Sequence, residues 1–213
     1  MKTVYSLLLS LLFLSACTND KKATVEEEEK KDSIAIQQDS IPVIEKEEIS
    51  ISDLTQTILK QIKNKDYPSL IQYIKPDSGL RFSPYGYVNT NTDIVLKPNQ
   101  FRSMINDSTK LVWGHYDGSG DDINLNFREY FEKFVYNVDF LNAEKVSINQ
   151  SAAKGNSLNN IMKVYPNAEY TESYFSGFEK KYAGMDWQAL RLVFAKEGDK
   201  YYLIGIVHDQ WTI

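Results

Sequence analysis

The sequence predicts an α+β domain over residues 50–213, with N-terminal helices packed on a mostly antiparallel sheet. Three observations carry this. Apolar residues recur at three- and four-residue spacing over 51–62, short alternating apolar runs follow residue 79, and two long apolar runs joined by a Gly-containing turn close the chain.

Ser50 is placed to cap a helix whose buried stripe is Ile51, Leu54, Ile58 and Ile62, before Asn64-Lys65-Asp66 interrupts the spacing. Asp66 can cap a second helix, with Pro68 in its first turn and Leu70, Ile71, Tyr73 and Ile74 behind it. Strand-like alternation over 79–88 breaks at the aromatic turn Pro84-Tyr85-Gly86-Tyr87, and 93–96 is a brief strand. Phe101, Met104 and Ile105 lie on one face of a short helix over 99–105. Residues 111–116 read as a strand, Asp117-Gly118-Ser119-Gly120-Asp121-Asp122 as a loop, and Ile123, Leu125 and Phe127 as the returning strand of a hairpin. Residues 129–135 read as helix, 151–160 as loop and 169–175 as strand. Runs 187–195 and 201–207 form a long hairpin around Gly198. One or two helices followed by a meander that closes on a long hairpin resembles the cone-shaped fold of the NTF2-like superfamily, which implies that the sheet is curved. A cystatin-like packing has nearly the same order of elements.

Residues 1–16 are of another kind. Met1-Lys2 precedes an apolar run over 4–13, well short of the roughly 20 residues that a membrane-spanning helix needs. Leu14-Ser15-Ala16-Cys17 follows and holds the only cysteine. This resembles the signal of bacterial lipoproteins, in which small residues before the cysteine admit a peptidase and the thiol carries a diacylglycerol. The resemblance implies removal of 1–16, lipidation of Cys17 and a membrane anchor at the cell envelope. Thr18, where some diderm bacteria use Asp for inner-membrane retention, implies the outer membrane. With its thiol acylated, the mature protein has no disulfide, no cysteine nucleophile and no thiolate metal site.

Residues 17–49 read as a tether. They hold five Lys against ten Asp and Glu and no aromatic residue, too little apolar surface to offset the entropy of ordering. Residues 50–213 are left nearly neutral, with 18 basic and 19 acidic residues, which excludes a basic nucleic-acid footprint. Asp32-Ser33-Ile34 and Asp39-Ser40-Ile41 resemble the Asp-Ser/Thr-apolar acceptor motif of bacterial O-glycosylation, which implies Ser33 and Ser40 as sites. Ordinary solvated linker residues fit the same pattern.

Of 14 Tyr, 10 Phe and 3 Trp, only Tyr5 and Phe13 lie outside residues 50–213. Most of these rings suit a core, yet Tyr85, Tyr87, Trp113, Tyr116 and Trp211 stand beside polar residues in turn-like segments, as pocket rings do. Arg81 and Arg191 interrupt apolar strand patterns, where a guanidinium can hold a carboxylate or phosphate. The two histidines, His115 and His208, stand at strand ends with Asp117 and Asp209 nearby; His115 and Asp117 share a face, whereas adjacent His208 and Asp209 point apart. Asp117, Ser119 and Asp121 alternate as oxygen ligands of a hard cation would, but position 122 is Asp and position 128 is Arg where a calcium loop needs Gly and Glu.

No Gly-x-Ser-x-Gly elbow, His-Glu-x-x-His pair or Walker loop is present, and no pattern calls for a cofactor. The expectation is therefore a lipid-anchored envelope protein that binds a small molecule, glycan or envelope partner in an aromatic-lined concavity built from Arg81, Tyr85, Trp113, Tyr116 and Trp211. An envelope hydrolase using His115, Asp117 and His208 is the alternative, and a structural or assembly lipoprotein is a third. Convergence of both histidines and Arg81 in one cleft would favour the enzyme.

Overall fold

Ser50 caps the first helix, its hydroxyl accepting from the Asp53 N–H at 3.2 Å, and α1 runs over Ile51–Lys63. Its buried stripe is the expected one, with Thr55 and Leu59 added. α2, Tyr67–Leu70, is a single turn that tightens into a 3₁₀ turn over Ile71–Tyr73, and Asp66 makes no side-chain cap bond there. The computed structural model describes residues 49–153 and 158–212, which fall in one compact unit, Lys46–Ile213. Cys17, Ser33, Ser40, the signal and all of the tether before Ile49 lie outside the described residues, as do 154–157 of the expected loop over 151–160.

The remaining elements are β1 (Leu80–Ser83), β2 (Ile94–Leu96), α3 (Pro98–Met104), β3 (Leu111–His115), β4 (Asp122–Leu125), α4 (Phe127–Tyr130), β5 (Lys145–Ile148), α5 (Ile161–Val164), β6 (Glu169–Phe175), β7 (Gln188–Glu197) and β8 (Lys200–Gln210). The fold is α+β, with a curved six-stranded sheet in the order β2-β1-β8-β7-β6-β5 and β3-β4 as a separate hairpin. Neighbours are antiparallel except β1 and β8, which run parallel with Phe82 opposite Ile206. The C-terminal hairpin thus enters the sheet between β1 and β6. Its turn is two residues, with Gly198 at φ 57° between the paired Glu197 and Lys200, a left-handed position that suits glycine.

Period-two alternation sorts the sheet into two faces. On one, Leu190, Leu192, Phe194, Leu203 and Ile206 meet α1 and an aromatic cluster around Phe82, Phe101, Trp113, Phe127 and Phe131. A hydrogen bond of 2.8 Å between the Thr55 and Thr171 hydroxyls ties α1 to β6. On the other face lie Tyr170, Val193 and Val207 with Ile161 of α5 over them, and a buried ionic group.

Two local expectations are corrected. Phe127 does not continue the returning strand, because Asn126 accepts from the Glu129 N–H at 3.0 Å while Glu129 accepts from the Asn126 N–H at 2.8 Å. That reciprocal cap starts α4, and a π turn over Phe131–Val135 follows it. β5 is a strand absent from the sequence expectation although Lys145-Val146-Ser147-Ile148 alternates, and its Val146 and Ile148 stay exposed on the sheet edge.

Candidate functional site

The expected site residues fall into four separate environments. Trp113 is fully buried, stacked on Tyr130 at 4.0 Å, with its indole N–H donating to the Leu125 carbonyl at 2.8 Å. It is a core residue and not a pocket wall, because the β3–β4 hairpin turns its face inward. His208 is likewise fully buried, edge-on to Phe134 and within 3.1 Å of the Pro84 carbonyl through Nδ1; its Nε2 has no partner among the described residues. Burial holds its pKa down to about 4, so the ring is neutral. Both depart from the expectation for the same reason: their strands place them on the covered face.

Arg81 lies on the opposite face. Its Nε donates to the Tyr165 hydroxyl at 3.0 Å, and it borders a cavity of about 230 Å³ with Gly79, Val95 and Tyr165. Arg191 is buried and its charge is already answered: Nε donates to Glu172 at 2.6 Å, Nη2 to Asp209 at 2.8 Å and to Ser151 at 3.0 Å. Glu172 stands directly opposite Arg191 in the β6–β7 ladder, while Asp209 lies one pair diagonal to it, beyond Val207. Register therefore assembles this triad, and its guanidinium is no free anion binder.

The fourth environment is a cleft of about 330 Å³ that brings Tyr85, Tyr87, His115, Tyr116, Asp117 and Asp209 together from three distant segments. The excursion after β1 supplies Tyr85 and Tyr87. Asp93 braces that excursion by accepting from the Ser83 hydroxyl and the Asn89 N–H, and burial raises its pKa to about 6. Asn160 pins the same segment by bonding both the N–H and the carbonyl of Val88, at 2.8 and 3.0 Å. The tip of the β3–β4 hairpin supplies His115, Tyr116 and Asp117. Tyr85 stands edge-on to Phe134, and burial raises the pKa of its hydroxyl. The Lys133 ammonium donates to the Tyr116 hydroxyl at 2.8 Å.

His115 pairs with Asp122 and not with Asp117: Nδ1 lies 3.0 Å from Asp122 Oδ1, because the two residues close the hairpin as a register pair. Both side chains are more than half exposed, at 55% and 59%. Asp122 was legible only once the register was known. Ser119 and Asp121 belong to the turn, Ser119 Oγ accepting from the Asp121 N–H at 3.2 Å. Among the described residues, no group of three or more His, Cys, Asp or Glu is gathered as metal ligands. Trp211 is partly exposed and is not a wall of the cleft, although the next residue, Thr212, is one. The cleft presents aromatic rings, one imidazole and carboxylates, which suits stacking on a ring and hydrogen bonding to hydroxyl groups.

No protein-family model matches the chain, and no curated protein matches it. Among solved structures, a variant of Rd1NTF2_05 matches at 13% identity, over 75% of this chain and 99% of its own, with a TM-score of 0.27. A likeness at that score carries no argument about function.

Proposed function

We propose that the protein is a lipid-anchored component of a bacterial cell envelope whose NTF2-like domain binds a small polyhydroxylated ligand, such as a glycan fragment, in the tyrosine-lined cleft. The observation that carries this is the gathering of Tyr85, Tyr87, His115, Tyr116 and Asp117 on one cavity of about 330 Å³, within the size range of small-ligand sites. The Cys17 signal and charged tether support the envelope location, at the outer membrane by the identity of Thr18. Among the described residues, no helix is long and apolar enough to cross a membrane.

Binding is favoured over hydrolysis because His115, His208 and Arg81 do not converge: one is exposed at the cleft, one is sealed in the core and one borders another cavity. The test is a thermal-shift screen of mono- and oligosaccharides on the full chain, since a ligand specific to the folded state raises its apparent stability. A saturable shift that His115→Ala and Tyr87→Ala each abolish is expected. Both residues are exposed, so each variant should stay within about 0.5 kcal/mol of the parent. A shift that survives both substitutions would move the site elsewhere. Destabilisation of His115→Ala by more than about 1 kcal/mol would assign the His115–Asp122 pair a structural role.

A further inference from the structure

A smaller cavity, about 230 Å³, lies apart from the tyrosine cleft and takes Arg81 as a wall. Its floor is set by register: Arg81 of β1 stands opposite Val95 of β2 and level with Gly205 of β8. The β7–β8 ladder slips between Val193 and Phe194, and Ile204, left without a pair at that slip, joins the same cavity beside Ala195. Tyr165 lies across Gly205, its ring edge 3.9 Å from where a Cβ would stand. Lys75 closes the remaining side, held by a turn in which the Gly79 N–H donates to the Lys75 carbonyl at 2.9 Å.

This cavity holds one unanswered positive charge. Arg81 is half-buried, and its guanidinium is joined to no carboxylate in any ion pair among the described residues. Nε donates to the Tyr165 hydroxyl at 3.0 Å and Nη1 to the Asp93 carbonyl at 3.4 Å, which fixes the plane of the group. The Asp93 carboxylate is taken up by Ser83 and Asn89. Nη2 bonds no described residue and, unlike Nη1 of Arg191, is not sealed from solvent, so its N–H pair opens on the space that Arg81 borders. The Tyr165 hydroxyl accepts from Nε and keeps its own proton to donate. Lys75 is paired with Glu197, and no Asp or Glu lines the cavity. Val95, Ala195 and Ile204 make the rest of its floor aliphatic.

We infer that this cavity is a second binding site, for a short-chain aliphatic carboxylate. The carboxylate accepts from Arg81 Nη2 and the Tyr165 hydroxyl, while the chain lies on Val95, Ala195 and Ile204. A monoanion matches the single unanswered charge, and a volume below the roughly 300 Å³ of ordinary small-ligand sites limits the body to a few carbons. Butyrate is the probe, with butan-1-ol as the neutral control and inorganic phosphate as the compact, more highly charged one. In the full chain labelled with ¹⁵N at its four arginines, butyrate should shift the Arg81 Nε resonance saturably, and neither control should do so at the same concentration. The Arg191 Nε resonance, from a buried group bonded to Glu172, reports whether each variant has folded. By equilibrium dialysis, Arg81→Met should weaken butyrate by about tenfold, the effect of about one charge-assisted hydrogen bond. Ala195→Leu removes no side-chain hydrogen bond and fills the floor, so it should weaken butyrate by about as much. An Arg81 resonance that stays still, that moves equally with butan-1-ol or phosphate, or butyrate affinity unchanged in either folded variant, would each overturn the assignment. Loss of saccharide binding in the tyrosine cleft would leave it intact, because the two cavities share no wall residue.

Discussion

His208 and Asp93 show how burial at single residues writes opposite signs into the pH dependence of stability. The folded pKa of His208 is about 4 against 6.5 for the free side chain, so its contribution is present above 6.5 and is lost as pH falls toward 4. Asp93 is raised from 3.8 to about 6, so its contribution is present below 3.8 and is lost as pH rises through 6. Between pH 4 and 6 the two slopes oppose each other. Asp93→Asn removes one of them, and urea midpoints of that variant should then fall on acidification from pH 6.5 to 4, by up to about 1.4 kcal/mol per pH unit. A flat profile in Asp93→Asn would mean that His208 takes up its proton as easily in the folded state as in the unfolded one. The same burial explains why proximity in sequence misleads here. His208 and Asp209 are neighbours, yet one faces Phe134 and the other Arg191.

At the scale of elements, the Glu172–Arg191–Asp209 group links β6, β7 and β8 on the sheet face that α1 does not cover. All three side chains are no more than 2% exposed, so removing the cation strands two carboxylates in a low-dielectric interior. Arg191→Met should therefore destabilise the protein by about 3–5 kcal/mol, read from the denaturant midpoint at constant m-value. The cost belongs to the unpaired acids. The triple replacement Arg191→Met, Glu172→Leu, Asp209→Leu should recover much of the loss, and failure to do so would assign it to packing instead. Asp209 is also a wall of the tyrosine cleft, so the single substitution should loosen that cleft as well.

For the whole molecule, the anchor and the domain are expected to be separable. No described helix can cross a membrane, so Cys17→Ser should release the exported protein from the detergent phase on phase partitioning; continued recovery there would sink the lipoprotein reading. Deleting residues 18–48 should leave the melting temperature within about two degrees, because α1 and its Ser50 cap begin after that segment. A loss of cooperative unfolding on that deletion would show that the segment packs on the domain.

Local order was legible before any coordinates. The 3.6-residue stripe of α1 and the Gly198 turn of the closing hairpin are each decided by residues within one or two turns of each other. The Asn126-x-x-Glu129 cap was equally local and could have been read as the start of α4. Membership of the cleft was legible in part: Tyr85, Tyr116, His115 and Asp117 stood out as polar or aromatic residues in turns, and they meet. Tertiary structure alone decided the rest. The parallel β1–β8 pair joins Phe82 to Ile206, and no short-range pattern encodes which distant strands adjoin. That choice settles which face each alternating residue shows. It turned His208 into core and set Arg191 between two carboxylates, because burial of both sheet faces is a property of the assembled layers and not of any one strand.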